Sequence, residues 1–525
     1  MRDGVVEAAP FDRQGPHTQE NGLKSMGGVP VSGVPTDQLI LAIDQGTTNS
    51  KAALIGADGQ LVCGGSAPVG ISSPRRGWVE QDAERIWSSV LEAVGACLRG
   101  ADDAKIIGVA LSTQRESVVG WRASTGAALG PVIGWQDRRT TAWCRETVTD
   151  VDRQLVHDRS GLRVDPMFSA PKMRWILDHL PNGVPIDDVR LGTVDSWLIW
   201  RLTGGMEHLC EAGNASRTLL YDIAELQWSK ELLEVFGVPG TALPAAVASD
   251  RGFGRTKGVP VLSDGTPIAA VLADSHAALF GHGCTEVGQA KATYGTGSSV
   301  MAPVAERSAS QDRVPTTLAW IIEETPTYAL EGNILSSGAT LAWTADLLTE
   351  GSVADLIALA ETAPDSGGVA LVPAFSGLGA PHWDRDAHAL ISGMSPATTR
   401  AHIARAAVDS VSHQICDIVD VIEERSGPLH LFRADGGATA SALVVQTQAD
   451  LLGREVQVSE VAEVSALSAA KLAWRALGQG AAWPTQGSGR IYQPLLDSME
   501  RRRRRVDWAG EISRTTFNPR PSGQR

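Results

Sequence analysis

The chain has 525 residues, of which 43% are hydrophobic and 20% are charged, and its formal net charge is −14. This length exceeds one ordinary hydrophobic core and predicts two or more globular domains. The acidic balance argues against nucleic acid as the main partner, and no apolar run approaches the roughly 18 residues that a membrane span needs.

The N-terminal part of the chain divides into an extension and a predicted strand-loop-strand unit. Residues 1–37 are rich in Gly, Pro and polar side chains without periodicity, which predicts a disordered extension. A buried strand is predicted at 39–43, followed by the polar loop 44–48 and further strands around the turn pair Asp58-Gly59. The glycine loop therefore joins two strands, whereas a Rossmann or P-loop motif feeds a helix.

Helices and strands alternate further along the chain. Asp82 is placed to cap a helix whose apolar positions share one face, and strand-like runs follow at 106–111 and 369–372. This alternation predicts an α/β architecture. A second loop rich in Gly and Thr, at 291–299, precedes another apolar segment. Either loop alone fits a plain turn, but the pair predicts two similar lobes that face one nucleotide.

Several polar residues suit the transfer of a γ-phosphoryl group, which needs donors around the phosphates, a metal ion and a proton acceptor. Thr47, Thr48 and Thr296, with the N–H groups of their loops, are candidate donors. Asp44 ends a predicted buried strand and is suited to hold Mg²⁺ directly or through water. The alternative is that Asp44 stabilises its own turn.

Asp274 is the candidate catalytic base, because it lies between an apolar strand and a predicted helix. Taken alone, an Asp at such a position is more often a helix N-cap. The triplet Gln114-Arg115-Glu116 places an amide, a cation and an anion side by side, as the adjacent hydroxyls of a polyol require. By itself this triplet fits a surface ion pair equally well.

Two further features are read from composition. The six cysteines stand singly, without the spacing of a zinc site, and indicate reduced thiols in a cytoplasmic protein. The basic block 501–505 is predicted to be the solvated face of a terminal helix rather than a binding patch.

Together these segments resemble the FGGY family of carbohydrate kinases, and within it the glycerol kinases most closely. The resemblance runs from about residue 39 to 477 and rests on the segments IDQGTTNSKAAL, GWVEQDAERIW, STQRES, GWQDRR, GTVDSWLIWRLTG, NASRTLLYDI, ADSHAALFG, KATYGTGSS, YALEG, VPAFSGLGAPHWD and DGGATASALVVQTQADLLG. It implies an α/β fold of two actin-like (ribonuclease H-like) domains with the active site in the cleft between them. The implied boundaries are 38–283 for substrate and phosphate binding, 284–515 for nucleotide binding, and a flexible tail at 516–525.

The resemblance also implies ATP and Mg²⁺ as the nucleotide and metal, with Asp274 as the catalytic base. Nucleotide contacts would come from Asp44, Gly46, Thr47, Thr48, Lys51, Thr296, Gly297, Gly338, Gly436, Gly437, Ala438 and Ser441, with Asp44 and Asp274 at the metal. Substrate contacts would come from Gln114, Arg115, Glu116, Trp135, Met167, Asp274, Ser275 and Ser299.

Departures from the glycerol kinase pattern are concentrated around the substrate. Met167 stands where a Tyr is usual, Ser275 where a Gln is usual, and Ser299 where an aromatic residue is expected. On the nucleotide side Lys51 replaces an Arg, which keeps the charge but loses the bidentate fork. The substrate pocket is therefore expected to be larger than in glycerol kinases.

These departures favour a kinase for a four- to five-carbon polyol or ketose. Glycerol kinase, which forms glycerol 3-phosphate, is the alternative within the family, and an actin-like ATPase without kinase activity is the alternative outside it. The expected partner is a small molecule, with no nucleic acid or membrane, and a homodimer or homotetramer is possible.

Overall fold

A computed structural model describes residues 38–101, 105–307, 313–459, 461, 463–479 and 489–516. The predictions of a disordered extension at 1–37 and of a flexible tail lie outside these residues, except that 516 ends the last helix. Within the described ranges, no helix combines the length and the apolar character needed to cross a bilayer.

The secondary structure alternates between strands and helices through most of the chain. The strands are β1 Gln38–Gln45, β2 Asn49–Gly56, β3 Leu61–Pro68, β4 Glu80–Gln81, β5 Lys105–Thr113, β6 Val118–Arg122, β7 Val132–Ile133, β8 Val189–Thr193, β9 Leu209–Glu211, β10 Tyr221–Asp222, β11 Gln227–Trp228, β12 Ala245–Val247, β13 Ile268–Ala273, β14 Gln289–Tyr294, β15 Ser298–Val304, β16 Thr316–Ile322, β17 Thr325–Ile334, β18 Ala370–Val372, β19 Leu390–Ser392, β20 Leu431–Asp435, β21 Val456–Val458 and β22 Ile491–Tyr492. The α-helices are α1 Ala83–Leu98, α2 Thr141–Glu146, α3 Asp150–Ser160, α4 Ser169–Asp178, α5 Val194–Leu202, α6 Ala212–Ser216, α7 Lys230–Phe236, α8 Asp274–Gly281, α9 Gly338–Leu348, α10 Val353–Glu361, α11 Arg400–Ser426, α12 Ala442–Leu452, α13 Val464–Ala476 and α14 Ser498–Thr516. Short 3₁₀ helices lie at Ile186–Asp188, Gly240–Ala242 and Gly437–Ala440.

The first lobe is built around a five-stranded sheet with the order β13-β5-β1-β2-β3. Strands β13, β5 and β1 run parallel, and β1, β2 and β3 are antiparallel neighbours. The central strands are buried on both faces, which explains their nearly continuous apolar sequences. Helix α1 packs against β2 and β3. Its predicted cap is confirmed, because the Asp82 carboxylate accepts from the amides of Glu84 and Arg85.

The second lobe is built around a seven-stranded sheet with the order β16-β17-β15-β14-β20-β21-β22. Its core repeats the first sheet, since β14 pairs antiparallel with β15 and parallel with β20. The long helix α11, which has 27 residues, packs beneath this sheet with much of its length buried. The prediction of two similar lobes, each carrying a Gly- and Thr-containing hairpin loop, is confirmed.

A buried contact between the lobes fixes the base of the cleft. Helix α13, from the C-terminal part of the chain, packs against β1, β5 and β13 of the first sheet. Trp474 is fully buried there among residues of both lobes, including Ile40 and Met301. Its indole N–H donates to the carbonyl of Ile55 at 3.4 Å. The hairpin loops 46–48 and 295–297 therefore belong to lobes that share a hydrophobic core.

A smaller sheet with the order β4-β7-β6-β8 lies beside the first lobe. Residues 114–117 connect β5 of the main sheet to β6 of this sheet, and Trp135 follows β7. This arrangement brings the predicted substrate residues to one end of the main sheet.

The basic block 501–505 lies on α14, and its prediction as a solvated helix face holds for only part of it. Arg503 is exposed and pairs with Glu500 on the same helix. Arg505 instead donates to Asp417 at 2.6 Å and to Asp420 at 2.8 Å, both on α11. The block therefore also anchors the last helix to the second lobe.

Candidate active site

The first hairpin loop leaves hydrogen-bond donors free for an anion. The Gly46 amide closes the turn by donating to the carbonyl of Asn49 at 3.0 Å. The indole of Trp135 donates to Thr47 Oγ1 at 3.1 Å. Since an indole can only donate, the Thr47 hydroxyl accepts here and keeps its own proton available. Thr48 is exposed beside it, so the loop presents two hydroxyl groups.

The second hairpin loop depends on close backbone packing. A side chain on Gly297 would place its Cβ 2.4 Å from the Ile334 carbonyl oxygen. A side chain on Gly338, the first residue of α9, would place its Cβ 2.5 Å from the carbonyl oxygen of Gly295. Only glycine fits at these two positions. Thr296 is exposed at the tip of the loop.

A glycine turn follows β20, which lies beside β14 and parallel to it in the second sheet. Gly436 has a φ of 96°, and a Cβ on it would lie 2.5 Å from the carbonyl oxygen of Tyr294. Gly437 and Ala438 continue into a 3₁₀ turn. Ser441 then caps α12 by accepting from the amide of Val444 at 3.3 Å, so its hydroxyl has a structural partner.

Residues of both lobes line an open cavity of about 390 Å³. Its lining includes Asp44, Asp274 and Ser275 from the first lobe and Lys291, Asp435 and Gly436 from the second. The structure therefore brings Asp44, the predicted base Asp274 and two of the predicted nucleotide residues, Lys51 and Gly436, into one space.

Asp44 meets the requirement for a metal ligand at this cavity. Its Oδ1 is buried without a hydrogen-bond partner among the described residues. Burial raises the pKa of Asp44 to about 6, against the opposing effects of the Ser112 hydroxyl and Lys51 and with added repulsion from Asp274. No cluster of three or more His, Cys, Asp or Glu suited to a metal occurs in the described residues. The residues fit a Mg²⁺ ion that takes most of its ligands from phosphate and water.

Asp274 presents a carboxylate to the cleft. It is the first residue of α8, and the N-cap position belongs to Ala273, so Asp274 is not the helix cap. Its Oδ1 accepts from the Ser275 amide at 2.6 Å and lies 3.3 Å from Arg115 Nε. Burial raises its pKa while Arg115 opposes the rise, and its side chain is 38% exposed. These properties suit a group that accepts a proton.

Arg115 and Glu116 belong to a buried charge network that crosses between the lobes. Both terminal nitrogens of Arg115 donate to Glu331 on β17, at 2.6 and 2.8 Å. Arg217 donates through Nε to Glu116 at 2.7 Å and lies 3.1 Å from Glu331. Burial by itself would lower the pKa of Arg115 and raise that of Glu331. The ion pairs outweigh it, because Glu331 raises the pKa of Arg115, and Arg115 and Arg217 lower the pKa of Glu331. Arg115 and Glu331 therefore stay charged.

Gln114 is placed differently from the prediction that it contacts substrate. Its amide nitrogen donates to the side-chain oxygens of Gln45 at 3.0 Å and Gln81 at 3.1 Å. Its oxygen accepts from the Ser117 hydroxyl at 2.9 Å. A buried amide must satisfy its hydrogen bonds internally, so Gln114 supports the first hairpin loop, and the open cleft is lined by its neighbours.

The other predicted substrate residues surround the Arg115-Glu116 pair. The Lys172 ammonium bonds to the carbonyls of both Glu116, at 3.1 Å, and Met167, which keeps Met167 beside the pair. Trp135 links this region to the first hairpin loop through its bond to Thr47. Ser299 lies on β15 opposite Thr293 and is half-buried.

Lys51 is bound across the cleft by a carboxylate. Its ammonium lies 2.8 and 2.9 Å from the two carboxylate oxygens of Glu463. The two side chains are 41% and 30% exposed. In this structure Lys51 is therefore paired with the second half of the chain, at the edge of the cavity where phosphates are expected.

Four charged residues at the site were not singled out from the sequence. They are Arg217, Lys291, Glu331 and Asp435. Each lies in a segment that carries the family resemblance, and Lys291 and Glu331 are the charged residues of β14 and β17. A charge inside a buried strand was the available signal, but its partner lies far away: Glu331 and Arg115 are separated by 216 positions.

Comparisons with known proteins agree with this geometry. Residues 39–281 match the N-terminal domain of the FGGY family of carbohydrate kinases, and residues 290–477 match its C-terminal domain. The glycerol kinase of Alkalilimnicola ehrlichii is 42% identical over 490 residues, covering 91% of this chain and 98% of the relative. The apulose kinase of Pectobacterium atrosepticum is 42% identical over 446 residues, covering 84% and 90%.

Solved structures show the same fold. Plasmodium falciparum glycerol kinase with ADP matches with a TM-score of 0.85 at 28% identity, over 92% of this chain and 99% of that one. Xylulose kinase from Rhodospirillum rubrum matches with a TM-score of 0.80 at 24% identity, over 91% and 98%, and supports the fold alone. The predicted pair of actin-like (ribonuclease H-like) domains is thereby confirmed.

Proposed function

Because the chain belongs to the FGGY family of carbohydrate kinases, we propose that it transfers the γ-phosphoryl group of ATP to a hydroxyl of a four- to five-carbon polyol or ketose. Family membership makes it a phosphotransferase acting on a sugar or polyol, and the identity of the acceptor is the proposed part. We also propose residues 38–283 as the substrate and phosphate domain and 284–515 as the nucleotide domain.

The observation that carries the reaction is the position of Asp274 between Arg115 and Asp44. Arg115 Nε lies 3.3 Å from the Asp274 carboxylate, and Asp44 is near enough for the two carboxylates to repel each other. An acceptor hydroxyl held by Arg115 and Glu116 would give its proton to Asp274 as its oxygen attacks the γ-phosphorus. The bond from that phosphorus to the β–γ bridging oxygen breaks, and ADP leaves.

The phosphates would be bound by the hairpin loops of the two lobes. Thr47 keeps a hydroxyl proton free for them, and the loop containing Thr296 approaches from the second lobe. Asp44 would hold Mg²⁺, which when bound neutralises charge on the β- and γ-phosphates. Closure of the two lobes around the bound substrates would exclude water and so limit hydrolysis of ATP.

The acceptor size is inferred from three side chains at the substrate end. Met167, Ser275 and Ser299 are smaller or less polar than the residues usual in glycerol kinases. Lys172 bonds to the main-chain carbonyls of Met167 and Glu116, so residue 167 lies beside Glu116, while the Met167 side chain packs in part against the hydrophobic cluster that contains Phe168. Overall identity does not separate the candidates, because the glycerol kinase and the apulose kinase relatives are both 42% identical to the chain.

Glycerol is the second candidate acceptor. The retained Arg115, Glu116 and Trp135 favour it, and among eight relatives at 38–42% identity, seven carry the name glycerol kinase. The departures at Met167, Ser275 and Ser299 favour the longer acceptor. The two proposals differ in one measurable ratio, that of kcat/KM for glycerol to kcat/KM for the larger compounds.

Steady-state kinetics with an ADP-coupled assay will test this proposal. The panel comprises glycerol, tetritols, pentitols, tetruloses, pentuloses and apulose, and we expect the highest kcat/KM for a four- or five-carbon compound. Met167→Tyr restores the hydroxyl that glycerol kinases usually carry and should shift the preference towards glycerol. A kcat/KM for glycerol above all others would refute the acceptor proposal, and ADP release independent of any acceptor would favour an ATPase.

A further inference from the structure

Lys291 is a buried lysine that lines the interlobe cavity. It lies on β14, four positions before the second hairpin loop begins, and is only 1% exposed. Its ammonium donates to Thr293 Oγ1 at 2.7 Å and forms no ion pair with a carboxylate of the described residues. An ammonium carries three donors, so two of them lack a partner among these residues. A buried charge left in this state is unfavourable unless a ligand satisfies it.

The cavity needs positive charge if it is to accept a polyphosphate. Its described lining carries four carboxylates, those of Asp44, Asp274, Asp435 and Glu463, against two lysines. Glu463 already holds Lys51 through both of its oxygens. Lys291 is therefore the described lysine of this lining whose charge is not matched by a direct carboxylate partner.

Lys291 shares the lining of the cavity with Asp274, the proposed base, and with Asp435 and Gly436 at the proposed nucleotide turn. Burial lowers its pKa, Asp435 opposes this from the nucleotide side, and Glu331 and Asp274 oppose it from the acceptor side. Reacting atoms must approach to about 3–3.5 Å before transfer. A group between the glycine turn after Asp435 and the base Asp274 thus lies where the γ-phosphoryl group must sit.

We infer that Lys291 is a further phosphate-binding residue whose ammonium contacts the γ-phosphoryl group of ATP. This inference rests on the proposed kinase function. Lysine acts on phosphate as a compact point charge, and here it approaches from the floor of the second lobe. The contact would hold the transferred group in line between the nucleotide and the acceptor hydroxyl.

A structural role as counter-ion is the competing explanation. Of the carboxylates near Lys291, Glu331 accepts twice from Arg115, and Asp435 accepts from His282 at 2.6 Å through Oδ2, while its buried Oδ1 has no hydrogen-bond partner among the described residues. Removing the ammonium would therefore leave neither carboxylate without a bond. Replacing a buried, unpaired charge by an apolar side chain of similar length is expected to be neutral or stabilising.

The test compares Lys291→Met with the unmodified full chain by calorimetry and thermal unfolding. Binding is measured in Mg²⁺ with ADP and with a non-hydrolysable β,γ-imido ATP analogue, and the melting temperature is measured without nucleotide. We expect the variant to bind the analogue about tenfold or more weakly, as loss of a charged hydrogen bond implies. Because ADP has no γ-phosphate, we expect the affinity of the variant for ADP to stay within about twofold of that of the unmodified chain. We also expect its melting temperature to be unchanged or raised.

Lys172→Met is the matched control, because Lys172 is equally buried but gives its donors to the carbonyls of Glu116 and Met167. This control should lower the melting temperature while leaving the ratio of analogue to ADP affinity unchanged. Lys291→Gln serves as a second variant with a polar, uncharged end.

Each other outcome is decisive. Equal losses for both nucleotides, unchanged binding of both, or failure of both Lys291 variants to fold would overturn the inference. If the unmodified protein binds neither nucleotide, the proposed kinase function fails instead, and this result is separate because it does not depend on Lys291.

Discussion

Glu331→Gln is the most informative perturbation of the charge network between the lobes. The change replaces one carboxylate oxygen by an NH₂ group with almost no change in volume. Glu331 is fully buried and accepts both terminal nitrogens of Arg115, while Arg217 lies 3.1 Å away. After the change, a guanidinium group must face an amide nitrogen, so a donor meets a donor. Removing one partner of a buried ion pair costs about 3–5 kcal/mol of stability.

The structure places the expected loss at the lower end of that range, about 3 kcal/mol in the free energy of unfolding. Arg217 keeps Glu116 at 2.7 Å, and Arg115 keeps Asp274 at 3.3 Å. Asp274 then becomes the main counter-ion of Arg115. This stronger pairing lowers the pKa of Asp274 and makes Asp274 a weaker base. We therefore expect kcat to fall by about tenfold, which is less than the rate enhancement of about 10²–10⁴-fold that a general base usually provides.

Denaturant unfolding and steady-state kinetics measure the two effects separately. The control is Glu323→Gln, because Glu323 is 69% exposed and pairs with Arg475 at the surface, where an ion pair contributes about 0–1 kcal/mol. A loss of stability no larger than that of the control would refute the energetic argument. Normal kcat in a clearly destabilised variant would show that the network does not act on Asp274.

Three further results are expected. Asp274→Asn should bind nucleotide normally but lower kcat by about 10²–10⁴-fold, and near-normal turnover would exclude Asp274 as the base. Glu463→Gln should release Lys51 and lower the KM for ATP by up to about fivefold, whereas a raised KM would mean that the ion pair does not compete with phosphate. Burial raises the pKa of Glu211 to about 8, so the folded protein keeps a proton that the unfolded chain loses above about pH 4.5. Wild-type stability relative to Glu211→Gln should therefore fall as pH rises from 5 to 8, by about 3–5 kcal/mol in denaturant unfolding, and an unchanged difference would contradict this assignment.

Local patterns in the sequence were sufficient to predict the hairpin loops and the position of Asp274 at the end of an apolar strand. Asp44 and Asp274 each come at the end of an apolar run. In the structure Asp44 lies near the end of β1, and Asp274 directly follows β13. The glycine-rich segments indicate where the backbone is crowded, and in the structure a side chain at Gly297 or Gly436 would collide with a backbone carbonyl. These features depend on neighbours within a few residues, which is why periodicity and turn chemistry predict them.

Pairings between distant residues could not be predicted in the same way. Lys51 and Glu463 are 412 positions apart, and Gln114 is fixed by Gln45, which lies 69 positions away. The sequence shows that Gln114 is polar, but whether its amide faces a ligand or another amide depends on how three segments pack. Burial converts such residues from candidate ligand contacts into internal hydrogen-bond partners.

The packing of α13 on the first sheet has a consequence for synthesis of the protein. The face that buries Ile40 and Ala42 is completed by Trp474, which leaves the ribosome more than 400 residues later. At about 5–20 residues per second, the nascent first lobe waits tens of seconds with an apolar surface uncovered. Fragments that end before α13 should therefore require chaperone protection. Neither half of the chain should fold stably when it is expressed without the other.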